Sequence, residues 1–73
     1  MYSKADLIRC GNNLRRLRVK KGLLVEALAA RSGVNVEKII QFESGNGGDV
    51  LLSDLLLLAE TMDVYIRDIL TSA

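Results

Sequence analysis

The stretch "RSGVNVEKIIQFESG", Arg31 to Gly45, restricts the fold more than any other part of the chain. Ser32-Gly33 can stop a helix, Asn35 is a good N-cap for the next one, and Ile39 with Phe42 gives that next helix one buried side. Two short helices joined by so tight a turn cannot cover their own apolar faces, so other helices must do so. With no proline in the chain, glycine and asparagine do the punctuating. From Asp6 to Lys21, Leu7, Leu14, Leu17 and Val19 recur among arginines and lysines and predict a basic amphipathic helix closed by Gly22. Glu26 to Arg31, with Leu28 and Ala29 inward, predicts a short second helix ending at Ser32-Gly33, and Asn35 opens the third. Beyond the loop "SGNGGD", Asp49 can cap a fourth helix through "VLLSDLLLLAETM", and "VYIRDIL" is long enough for a fifth. No strand alternation competes, so the expectation is an all-α domain.

A chain of 73 residues, 49% apolar and 26% charged, can form one domain and no second core. A domain this small needs economical helix packing or a partner chain. Cys10 is the single cysteine, so neither an intrachain disulfide nor a cysteine-rich metal site can form; it reads as a small core or boundary residue of helix one. Histidine is absent, which removes the usual general base and the commonest nitrogen ligand for zinc. Asp63 with Asp68, or Glu26 with Glu60, could be juxtaposed, but nothing pairs a nucleophile with a base. No enzyme, metal, cofactor or small-molecule substrate is therefore expected. No stretch approaches the ~18 apolar residues of a membrane span, and the N-terminus lacks signal-peptide features; a soluble, cytoplasmic protein is the expectation.

Net charge is only +1, yet it is unevenly divided. Met1 to Phe42 carries nine basic residues against three acids, whereas from Glu43 onward only Arg67 opposes six acids. That division suggests one basic face for a polyanion and an acidic far side, the alternative being two solvated faces. The fourth helix has more leucine than one inward stripe can absorb. Leu52, Leu55, Leu56, Ala59 and Met62 keep the helical period and are expected in the core, while Leu51 and Leu57 fall off it. Those two are covered by helix five or the N-terminal segment, or they form a dimer contact.

In this order and spacing, "NNLRRLRVKKGL", "LAARSGVN", "IIQFESG" and "LLLLAETMDV" resemble the Cro and phage-repressor (XRE) family of helix-turn-helix proteins. The resemblance spans roughly Cys10 to Leu70. It implies a compact five-helix, lambda-repressor-like domain over residues 1–73, with the helix-turn-helix at about 25–44, that binds double-stranded DNA as a homodimer and regulates transcription. It also implies an ion pair between Arg18 and Glu43 that joins helices one and three. Leu51, Leu57 and Tyr65 are the candidate dimer contacts.

The expected reading surface follows from helix geometry. At about 100° per residue, with Ile39 and Phe42 inward, helix three turns Glu37, Lys38 and Gln41 outward, with Val36 and Ile40 on the flank. Gln41 can pair bidentately with adenine, Lys38 can reach guanine or a phosphate, Val36 can rest on a thymine methyl, and Glu37 can accept from a cytosine amine. Asn35, Ser44, Asn46, Arg15 and Arg31 complete the candidate DNA contacts, with Arg16, Lys20 and Lys21 as flanking cations. Two departures from the family pattern weaken docking. Leu24-Val25 stands where relatives usually open helix two with Thr or Ser followed by Gln, and "SGNGGD" lacks their loop cations. These departures, with Ile40, Glu37, Leu51 and Leu57, motivate an alternative reading: a degenerate helix-turn-helix module that binds a regulatory protein partner, as an antirepressor or heterodimer partner, without specific DNA binding.

Overall fold

The computed structural model describes residues 3–46 and 50–71, and these form five helices with no strand. Helix α1 spans Lys4–Lys20, α2 Val25–Ser32, α3 Val36–Glu43, α4 Leu52–Met62 and α5 Ile66–Leu70. α1 packs on α3 and α5, α2 on α3 and α4, and α4 on α5. α3 is thus held from behind by α1 and α2. The core is one cluster that includes Leu14, Leu28, Val34, Ile39, Phe42, Leu58 and Ile69.

Local chemistry sets the boundaries. α1 begins two residues before the expected Asp6, because Ser3 caps it: Asp6 N–H donates to Ser3 Oγ at 3.2 Å and Ser3 N–H to Asp6 Oδ2 at 3.0 Å. At the other end Gly22, at φ +71°, donates to the Val19 carbonyl while Leu23 donates to that of Arg18, which closes the helix and turns the chain. Gly33, at φ +79°, ends α2 in the same left-handed region. Between α2 and α3, Val34 is buried and its N–H finds Ser32 Oγ at 3.2 Å, so the turn is anchored by both packing and hydrogen bonding. That anchoring sets the angle at which α3 leaves α2.

Two close contacts depend on particular residues of α1. A Cβ at Gly11 would lie 2.0 Å from the Phe42 carbonyl oxygen, so only glycine lets α1 come this near to the end of α3. Asn13 is buried, and its side-chain amide donates to the carbonyls of Ile69 and Thr71 at 3.1 and 3.0 Å, which satisfies the end of α5. Cys10 is also buried, and desolvation pushes its thiol pKa up despite the nearby charge of Arg9.

Expectations about apolar positions change on two helices. Leu7 and Val19 are exposed, and the inner side of α1 is instead Cys10, Gly11, Asn13 and Leu14, with Leu17 packed at its edge. On α4 the buried stripe is Leu55, Leu58, Ala59 and Met62, whereas Leu52 and Leu56 are 61% and 51% exposed. A run of four leucines carries no phase of its own, and packing on α2 and α5 selects Leu58 over its neighbours. α4 also starts later than expected, at Leu52 behind the N-cap Leu51, whose N–H donates to Asp54 Oδ2 at 3.0 Å. Asp49, the expected cap, lies outside the described residues.

Candidate nucleic-acid interface

α3 presents a surface from a firmly held position. Asn35 Oδ1 accepts from the N–H groups of Glu37 and Lys38 at 2.8 and 3.3 Å, which caps the helix and fixes its first turn. Ile39 and Phe42 anchor the inner side. Opposite them Glu37 and Gln41 are exposed, with Ser44 beyond the last turn; Val36 is half-buried and Ile40 exposed along one flank. Lys38 differs from its expected outward placement. It is half-buried on the other flank, with Nζ 3.6 Å from Asp54 Oδ2 of α4.

The Arg18–Glu43 pair braces the far end of α3. Arg18 Nε and Nη2 donate to Glu43 Oε2 and Oε1, both at 2.8 Å, and Nη1 donates to the Leu23 carbonyl at 2.8 Å. One guanidinium therefore joins α1, the entry to α2 and the C-terminal turn of α3. The side chains are 13% and 8% exposed. Hydrogen bonding to Glu43 raises the arginine pKa above its ordinary value; burial opposes this, and the negative charges of Glu43 and Glu26 add to it.

Next to this pair is an open depression of about 360 Å³, lined by Arg15, Arg18, Val25, Ile40, Glu43 and Ser44. Val25 of α2 and Ile40 of α3 both line the depression and give it apolar walls, and the exposed Arg15 adds a cation to the lining. α2 has no side-chain cap, since its N-cap is Leu24, 71% exposed. No side chain caps its first amides, and Val25 itself offers no polar group. Arg31 is exposed in the last turn of α2.

The loop after α3 offers less than its glycines suggested. The amides of Ser44, Gly45 and Asn46 are engaged with the carbonyls of Ile40, Phe42 and Gln41, and the Ser44 hydroxyl donates to Ile40 at 2.7 Å. These groups close α3, and among the described loop residues the Asn46 side chain is the one left exposed to donate. Gly47 and Gly48 lie outside the described residues. Away from α3, Leu51, Leu52, Leu56, Leu57 and Tyr65 are all exposed, and Arg67 stacks its guanidinium 4.5 Å from the centre of the Tyr65 ring. This is a large apolar allotment for the outside of a small domain. Among the described residues no helix is long and apolar enough to cross a membrane, and no cluster of three or more acidic, cysteine or histidine side chains could hold a metal.

The sequence missed Asp54, the partner of Lys38, and Gly11, which sets how near α1 comes to the end of α3. Asp54 had a local signal, an acid three residues after Leu51 at a helix start. Gly11 had none, because its need arises from a contact with residue 42.

Comparison with known proteins agrees with this architecture. The helix-turn-helix family matches residues 14–69. Among solved structures, the chain is similar to the restriction-modification controller protein C.AhdI from Aeromonas hydrophila. The two are 38% identical, the match covers 89% of this chain and 97% of that one, and the TM-score is 0.82. No curated protein matches significantly.

Proposed function

The chain belongs to the XRE-type helix-turn-helix family and is a DNA-binding transcriptional regulator, and we propose that it acts as a homodimer on a two-fold operator read by α3. The observation that carries this reading is the two-sided character of α3. Its inner side is locked by Ile39, Phe42 and the Glu43–Arg18 pair, while Gln41 and Glu37 stand exposed on the outer side. A helix that must place side chains against base edges needs this rigidity from behind.

In this reading Gln41 takes adenine, Glu37 accepts from a cytosine amine and Val36 meets a thymine methyl. Asn35 at the helix start, Asn46 beyond its end, and the exposed Arg15 and Arg31 meet the backbone, whereas the amide and hydroxyl of Ser44, expected among these contacts, are spent on closing α3. The arginines supply the sequence-blind attraction. Leu51, Leu57 and Tyr65, joined by Leu52 and Leu56, form the dimer surface, which puts two α3 helices about 34 Å apart on one face of the duplex. The similarity to a restriction-modification controller supports control of a restriction-modification system as the regulated task.

A protein-binding module without operator recognition remains the competing reading, favoured by the apolar Val25 and Ile40 beside the Arg18–Glu43 pair. Gln41→Ala separates the two. If α3 reads bases, the substitution weakens binding to a selected cognate duplex by about 1–3 kcal/mol and leaves random duplex nearly unchanged. Equal losses on both duplexes contradict base reading.

A further inference from the structure

Lys38 belongs to the helix assigned to the groove, yet its ammonium is turned along the flank toward α4, 3.6 Å from Asp54 Oδ2. The carboxylate is well placed to hold it. The same oxygen accepts the Leu51 N–H at 3.0 Å, and the Asp54 side chain is only 16% exposed against 40% for Lys38. Asp54 is thus fixed by the start of α4, and the longer lysine side chain reaches to it. With Lys38 engaged by Asp54 and Glu43 by Arg18, the charge α3 has left for a ligand is that of Glu37.

We propose that Asp54 is a specificity-determining residue: it holds Lys38 away from the phosphates, leaving discrimination to Gln41, Glu37 and Val36. The proposal rests on the DNA-reading function above. A lysine on a phosphate strengthens binding to every sequence alike, through counterion release, and so raises random binding without adding information. Withdrawing it lowers the sequence-blind background while the base contacts stay intact, and the ratio of specific to random binding rises. Asp54 touches no DNA in this scheme and acts through Lys38.

The test is the salt dependence of binding to a random-sequence duplex, read by fluorescence anisotropy for the wild type, Asp54→Asn, Lys38→Met and the double variant. Asparagine keeps an oxygen for the Leu51 amide but loses the charge. Freeing Lys38 should steepen the slope of log K against log salt by about 0.9 per protomer in Asp54→Asn. Lys38→Met should keep the wild-type slope, and the double variant should match Lys38→Met. A slope unchanged in Asp54→Asn overturns the proposal, as does equal steepening in the double variant, which would mean a general charge effect. Flattening by Lys38→Met overturns it too, since Lys38 would then already be on the backbone. Should Asp54→Asn fail to fold by circular dichroism, Lys38→Met decides alone by the same criterion. A wild type with no salt-dependent binding to any duplex overturns the DNA-reading function itself, and this proposal with it.

Discussion

α2 and α3 are both eight residues long and meet across one anchored turn, yet they begin differently. α3 opens on Asn35, whose side chain satisfies two backbone amides, whereas α2 opens on Leu24, which satisfies none. The difference continues beyond the caps. Behind α3, Gly11, Ile39, Phe42 and the three-way bonding of Arg18 leave nothing loose. At the start of α2, Val25 and the exposed Leu24 offer no polar side-chain atoms. On the proposed function, the chain keeps what positions α3 and lacks a polar group for the DNA backbone at the start of α2, so affinity should be modest and strongly dependent on salt.

The comparison breaks most readily at Arg18. Arg18→Met leaves the Glu43 carboxylate largely buried without its partner, and should cost about 3–5 kcal/mol in urea unfolding. A loss below about 1 kcal/mol would mean that the brace behind α3 is not what holds it. A smaller effect distinguishes the two caps. Asn35→Ala should cost about 0.5–2 kcal/mol. Leu24→Ser should instead gain up to about 1 kcal/mol, because it adds a missing cap and removes a side chain that buries little. If Leu24→Ser destabilises the protein, the entry to α2 is already satisfied in some other way and the contrast between the helices is weaker than drawn.

Much of the fold was legible because its signals are local. Gly22 and Gly33 mark two helix ends by their left-handed backbone and Asn35 a helix start by its capping side chain, and Ile39 with Phe42 fixes the inner side of α3. What could not be read depends on distant partners. The phase of the leucine run in α4 is set by α2 and α5, so Leu58 goes in while Leu52 and Leu56 stay out. Asn13 is buried because the carbonyls ending α5, more than fifty residues away, need a donor. At the candidate interface, helical spacing placed Glu37 and Gln41 outward but could not show that Lys38 has a partner on α4. Nor could it show that Val25 and Ile40 line one depression, since this needs the angle between α2 and α3.

The most direct test of the central claim, that α3 reads operator DNA from a dimer, is to titrate the protein against a randomised duplex pool at two salt concentrations and sequence the bound fraction. The account predicts an enriched, near-palindromic site with half-sites about one helical turn apart, bound more weakly as salt rises. Weak binding with no enriched sequence would contradict it.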